Sequence, residues 1–127
     1  MNRYIVFIIV VFGFSSCEKE TYVDYSVENN SASTIMLHGS NIIHSTVIDL
    51  TMESGERQVI AAWSNRGKST DLIEPTSIFG SDLIITNSDG DTLIKDYKVL
   101  SNWISLIDET SGTASHKYVL KISDLDF

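Results

Sequence analysis

The chain has 127 residues, of which 43% are hydrophobic and 20% are charged. This length and composition predict one globular domain and argue against intrinsic disorder. The formal net charge of −8 at pH 7 argues against a basic surface that binds nucleic acid or an anionic bilayer, so nucleic acid is not an expected partner.

The N-terminus has the plan of a secretory signal. Arg3 precedes an uncharged apolar run over residues 4–14, and small residues close this run before Cys17. Residues 4–17 number 14, whereas a helix that crosses the hydrocarbon core of a bilayer needs about 20 residues. A transmembrane helix is therefore less favoured than a cleaved signal peptide, which we predict over residues 1–16.

Phe14, Ser15, Ser16 and Cys17 resemble the lipobox of bacterial lipoproteins, in which an apolar residue and two small residues precede the cysteine that receives lipid. Phe14 departs from the leucine that is commoner there. The resemblance implies that diacylglycerol is attached to the sulfur of Cys17, and that a fatty acid such as palmitate acylates the new amino terminus. Cys17 is the only cysteine of the chain, so it cannot form an internal disulfide bond.

Glu18, Lys19 and Glu20 resemble the short charged signal that sends lipoproteins of the Bacteroidetes to the outer face of the outer membrane. An ordinary solvated tether is the alternative. The C-terminal residues 118–127 are similar to the ends of small Bacteroidetes lipoproteins with a sandwich domain. The resemblance implies an outer-membrane lipoprotein of the cell envelope, with the periplasmic and the extracellular face both open, and it carries no known activity.

We expect a lipidated tether over residues 17–21 and a folded domain over residues 22–127. In this domain, short runs of β-branched and aromatic residues alternate with clusters of Ser, Asn, Asp and Gly. The rhythm predicts an all-β fold, an immunoglobulin-like antiparallel β-sandwich of about seven strands, with a small barrel as the alternative. The predicted strands are 22–28, 34–38, 42–51, 58–63, 82–86, 92–97, 103–108 and 117–123, and a polar surface loop covers 64–75.

One segment also fits a helix. Leu100, Trp103, Ile104 and Ile107 have the spacing that forms a single apolar stripe on a helix. We favour a strand here, because turn residues and a further strand follow and would complete a hairpin.

Residues 87–91, Asn-Ser-Asp-Gly-Asp, begin like an EF-hand calcium loop, with oxygen-bearing side chains at alternate positions. The rest of that loop fails, because Thr92 stands where glycine is required and Lys98 stands where glutamate is required. A hairpin is favoured, with Asp89 and Gly90 in a type I′ turn.

The three histidines, His38, His44 and His116, do not have the spacing that places two of them on one metal ion. We expect each to be an exposed strand or turn residue, and we expect no metal or cofactor. A Gly-x-Ser-x-Gly motif is also missing from the sequence, so a small hydrolase is the least favoured function.

Trp63 and Trp103 are the candidate binding residues, since an exposed tryptophan can stack on a sugar ring or anchor a protein partner. Packing in the core is the alternative for both. The sequence therefore predicts a non-enzymatic, membrane-anchored accessory or binding module, with a glycan or an envelope protein as partner. The alternatives are a glycan-binding surface accessory protein and a hydrolase.

Overall fold

Seven β-strands make up most of the described chain. The computed structural model describes residues 20–66, 74–110 and 113–127, so the predicted signal peptide and Cys17 lie outside the described residues. One short helix, α1 (Pro75–Phe79), and 3-10 segments at Leu100–Asn102 and Asp124–Asp126 accompany the strands. The strands are β1 (Glu20–Asn29), β2 (Ile35–Asn41), β3 (Thr46–Met52), β4 (Arg57–Arg66), β5 (Ile84–Asn87), β6 (Trp103–Thr110) and β7 (Thr113–Ile122).

The strands form two sheets that pack face to face. Sheet A has the order β4-β1-β7-β6, and sheet B has the order β3-β2-β5. All strand pairs are antiparallel except β1 and β7, which run parallel. The predicted all-β sandwich of seven strands is confirmed.

The order of the strands differs from that of a constant-type immunoglobulin domain. In that domain the first, second, fifth and fourth strands form one sheet, and the third, sixth and seventh form the other. Here the first strand pairs with the fourth and seventh, and the second pairs with the third and fifth. The chain therefore has the layered architecture of such a sandwich with different strand neighbours.

Strand β1 lies inside sheet A and follows the alternation of its sequence. Tyr25 and Val27 are fully buried and Val23 packs against the core, whereas Tyr22 on the opposite face is 48% exposed. A β-bulge between Tyr25 and Ser26 shifts the register with β4. The apolar face of β1 thus forms the centre of the core.

Tyr25 is the centre of an aromatic cluster. Its ring centroid lies 4.8 Å from that of Tyr118 and 5.0 Å from that of Trp103. Trp63 stacks at 5.9 Å, and Phe79 packs edge-on at 6.0 Å. Burial raises the pKa of Tyr25 far above its ordinary value, so its side chain stays neutral. The cluster joins four strands of sheet A to helix α1.

Helix α1 is absent from the sequence-based prediction, which has a polar surface loop over 64–75. Strand β4 continues to Arg66, and Pro75 is the first residue of α1, where its fixed φ suits a helix start. Ile78 and Phe79 are fully buried. Residues 64–66 of the predicted loop therefore belong to β4, and Pro75 belongs to α1. Residues 67–73 lie outside the described residues.

The predicted strand over residues 92–97 is wrong. Its pairing with β5 is limited to an isolated bridge and to the N–H of Leu93, which donates to the carbonyl of Ile85 at 2.8 Å. The N–H of Ile94 donates instead to the carbonyl of Asp126 at 2.7 Å. The chain leaves sheet B at Ile94, because the main chain of this residue is hydrogen-bonded to the C-terminal segment and not to β5.

Residues 100–107 contain the strand, since β6 begins at Trp103 after the 3-10 segment Leu100–Asn102. A tight turn occupies residues 87–91, as predicted, but its type differs. Gly90 has φ 89°, whereas Asp89 does not have a positive φ, so the turn is not type I′. The N–H of Asn87 donates to the carbonyl of Asp91 at 3.0 Å and closes a three-residue loop.

A buried polar network closes the end of the sandwich at which β1 and β7 finish. Asn29 is fully buried, and its Nδ2 donates to the carbonyls of Ser33 at 2.8 Å and Met52 at 3.1 Å. Its Oδ1 accepts from the N–H of Ser31 at 3.1 Å and from the hydroxyl of Ser31 at 2.6 Å. One amide therefore ties β1 to the loop that follows it and to the end of β3.

Candidate functional site

Cys17 lies outside the described residues, but β1 shows how close to it the folded domain begins. β1 begins at Glu20, so Glu20 and Thr21 belong to the strand and not to the predicted tether. Only Glu18 and Lys19 separate Cys17 from Glu20, and the extended chain between them spans at most about 11 Å. A lipid on Cys17 would therefore hold the start of β1 close to a membrane.

The two tryptophans have different surroundings. Trp103 is 4% exposed, and its indole N–H donates to the carbonyl of Tyr97 at 2.7 Å. Its ring thus belongs to the core and has no open face for a ligand. Trp63 is half-buried, and it stacks on Tyr25 on the inner face of sheet A.

A groove of about 320 Å³ lies beside Trp63 between β1 and β4. Its lining consists of Tyr22, Val23, Asp24, Ala62, Trp63 and Ser64. Tyr22 pairs with Ser64 and Asp24 pairs with Ala62, so these four side chains share the outer face of sheet A. The aromatic ring on that face is therefore Tyr22, which the sequence analysis did not single out, and not the indole of Trp63.

Asp24 adds a carboxylate to the lining of this groove. Its Oδ1 is buried and has no hydrogen-bond partner in the part of the chain that the structure describes. Buried polar atoms in folded proteins nearly always have a hydrogen-bond partner, so we expect a donor such as water or a ligand to bind this carboxylate. Nearby, the hydroxyl of Tyr22 donates to Oε2 of Glu20 at 2.8 Å. This hydrogen bond and the charge of Glu20 raise the pKa of Tyr22 above its ordinary value.

A second cleft, of about 330 Å³, lies between the edge strands β3 and β4 of the two sheets. Its lining is mostly apolar and comprises Thr46, Val47, Ile48, Asp49, Leu50, Val59 and Ile60. No local motif marks these residues, because the cleft exists only where two separate sheet edges meet. It is a surface that sequence reasoning missed.

The three histidines have different partners: His38 lies in β2, His44 in the turn between β2 and β3, and His116 in β7. Nδ1 of His38 is 4.0 Å from Asp49 on the open face of sheet B, and Nε2 of His44 is 2.9 Å from the carbonyl of Ala62. The side chain of His116 is only 12% exposed and lies 3.7 Å from Glu109, so its predicted exposure is wrong. Within residues 20–66, 74–110 and 113–127, no group of three or more potential ligands could hold a metal ion.

Comparisons of the chain with models of protein families, with curated proteins and with solved structures find no match. Among the described residues, no helix is long and apolar enough to cross a membrane.

Proposed function

We propose that this protein is a non-enzymatic, lipid-anchored binding module of the cell envelope, held in a bacterial outer membrane through Cys17. The supporting observation is the start of β1 at Glu20, directly after the lipobox-like segment and its charged residues. In a lipoprotein the lipidated cysteine attaches a folded domain to the membrane. Here only Glu18 and Lys19 separate Cys17 from the start of the β-sandwich at Glu20. Several acyl chains at one site would give durable attachment, which a single chain does not.

The surroundings of the histidines favour binding over catalysis. His38 and Asp49 form a pair whose side chains are 71% and 82% exposed, on an open sheet face that does not exclude water. The linings of the two clefts contain no histidine, so neither cleft places an imidazole base beside a serine. A hydrolase is therefore the weakest of the three functions considered.

The anchor is tested by expressing the wild-type chain and Cys17→Ala in bacteria, followed by fractionation and mass analysis of the mature N-terminus. We expect an acylated N-terminal Cys17 in the membrane fraction for the wild type, and loss of acylation and of membrane attachment for Cys17→Ala. Ser16→Ala is the control, because a small residue is kept before the cysteine. An unmodified Cys17 in the wild type would refute the proposal. If Cys17 is acylated, protease shaving of intact cells distinguishes a domain on the extracellular face from one on the periplasmic face.

A glycan is the ligand class that the groove between β1 and β4 favours. A sugar has hydroxyl donors for the half-buried carboxylate of Asp24, and its apolar C–H face suits the half-exposed ring of Tyr22. Ser64 adds a further hydroxyl on the same face. The second candidate function is therefore a glycan-binding accessory protein, with Asp24 and Tyr22 as the recognition residues.

Asp24→Asn tests this candidate in titrations with neutral disaccharides, such as maltose, cellobiose and lactose, followed by saturation-transfer NMR. We expect binding of at least one sugar by the wild type and roughly tenfold weaker binding by the variant, since a hydrogen bond to a charged group contributes about 1.5–3 kcal/mol. Asp49→Asn, on the other sheet, should bind as the wild type does. Equal binding by Asp24→Asn and the wild type would exclude the groove as the sugar site.

A further inference from the structure

Strand β6 is an open edge of sheet A. Among the described residues it pairs only with β7, so the hydrogen-bonding groups on its other side have no strand partner there. Every residue from Ile104 to Glu109 is exposed, on both faces of the sheet. Beyond the buried Trp103, the strand is therefore left uncovered as far as Glu109.

The edge has an unusually apolar surface for an open strand. Ile104 and Leu106 point to the outer face and are 43% and 50% exposed, while Ile107 on the inner face is 55% exposed. Natural sheets protect such edges with lysine, proline, a bulge or a covering segment. β6 contains neither lysine nor proline, and its register with β7 runs without a break. An edge of this kind is suited to pairing with another strand.

The sequence of β6 is complementary to itself around Ser105. In an antiparallel pair of two copies centred on this residue, Ser105 lies opposite Ser105 of the second copy. Ile104 then lies opposite Leu106 of the second copy, and Trp103 lies opposite Ile107. Since residues directly opposite each other share a face, the exposed side chains of Ile104 and Leu106 meet on the outer face, whereas Ile107 lies opposite the buried Trp103.

This register also keeps the acidic residues apart. Asp108 and Glu109 lie beyond Trp103 of the second copy, where its chain forms the 3-10 segment Leu100–Asn102, so neither carboxylate lies opposite an acidic residue. The next register, with Leu106 at the centre, would instead place Ile104 opposite Asp108 and Ser105 opposite Ile107. Because like charges are costly when they lie directly opposite, and apolar pairs are favourable, the register around Ser105 is preferred.

We propose that two copies of this chain associate through antiparallel pairing of their β6 strands around Ser105, which joins their A sheets into one continuous sheet of eight strands. The association is closed, because each copy has one β6 and the two-fold axis uses it in both. It does not depend on the proposed lipid anchor. The same two-fold axis puts the two starts of β1 at opposite ends of the pair.

Disulfide trapping tests the register in the mature protein purified in a mild detergent. Ser105→Cys places two thiols opposite each other, with Cα atoms about 4.5–5.5 Å apart, which is within the range that a disulfide bond spans. We expect a dimer on a non-reducing gel that forms faster than with Val47→Cys, a control on a side chain that is 76% exposed in sheet B. The wild type, in which Cys17 is the only cysteine, is the baseline for bonds through that residue.

A mixture of Ile104→Cys and Leu106→Cys should give a disulfide-linked dimer, whereas each variant alone should give little. Light scattering should find a dimer for the wild type and a monomer for Leu106→Lys, which places one charge opposite Ile104 in each of the two symmetry-related pairs. Trapping of Ser105→Cys no faster than Val47→Cys, or a wild-type monomer at high protein concentration, would overturn the proposal. A dimer that survives Leu106→Lys would show that another surface is used.

Discussion

Replacing Tyr25 by alanine is expected to lower the free energy of unfolding by about 4 kcal/mol, which is a large part of the stability of a domain of this size. The residue is fully buried, and its ring contacts four other aromatic rings within 6.0 Å. Truncation would leave a cavity between sheet A and helix α1 that these rigid rings cannot fill. Urea unfolding followed by far-UV circular dichroism measures the loss.

Two variants on the same strand are the controls. Tyr25→Phe keeps the ring and removes only the hydroxyl, so we expect it to cost at most about 1.5 kcal/mol. Tyr22→Ala removes a half-exposed ring from the outer face, and we expect an effect within about 0.5 kcal/mol of the wild type. Equal losses for Tyr22→Ala and Tyr25→Ala would contradict the assignment of the two faces of β1.

Replacing Asn29 by alanine is expected to cost about 3 kcal/mol, although the side chain is small and polar. Its amide makes four hydrogen bonds, to Ser31, Ser33 and Met52, and three of them are buried. Alanine would leave buried donors and acceptors without partners, and each such group costs about 1–3 kcal/mol. The Ser31 hydroxyl retains its bond to the carbonyl of Ser33 at 3.0 Å, which limits the loss.

The neighbouring asparagine is a matched control for this prediction. Asn30 is exposed, and its side chain donates to Glu28 at 3.0 Å on the surface. Asn30→Ala should therefore change the free energy of unfolding by less than about 0.5 kcal/mol. Thermal unfolding of both variants measures the difference, and a similar melting temperature for the two would refute the role given to the network.

Alternation of apolar residues is the part of the sequence that predicted structure well. Tyr25 and Val27 in β1, and Tyr118 and Leu120 in β7, were all placed on inward faces and are buried. In a strand the side chains alternate by simple geometry, so a face that must be buried is visible in the sequence itself. Even so, Val119 on the other face of β7 is 1% exposed, although Lys117 and Lys121 on that face are exposed.

Elements decided by distant contacts were not visible in the sequence. Residues 92–97 have strand-like composition, but the main chain of Ile94 bonds to Asp126, more than thirty residues further along the chain. Helix α1 has five residues, too few to show a helical period, and it is held by the burial of Ile78 and Phe79. In both places tertiary contacts override local preference.

The candidate site also has features that the sequence predicts and features that depend on distant contacts. Trp63 and Trp103 are the same residue type in similar strand contexts, yet one is half-buried and the other lies in the core. Trp103 is covered by Phe79 of helix α1 and donates to the carbonyl of Tyr97, and the local pattern around either tryptophan does not record such contacts. The oxygen of Asp24 that has no partner among the described residues is likewise buried by the pairing of β1 with its neighbouring strands. The sequence alone does not reveal this burial.

The parallel pairing of β1 with β7 also determines how the domain responds to mechanical load. Ten residue pairs join the two strands, from Glu20 with Thr113 to Asn29 with Ile122. A force that pulls the start of β1 and the end of β7 in opposite directions acts along this ladder, so its hydrogen bonds share the load and must break together. β4 also holds β1 from the other side. A domain pulled by its first strand would therefore resist extension rather than unzip.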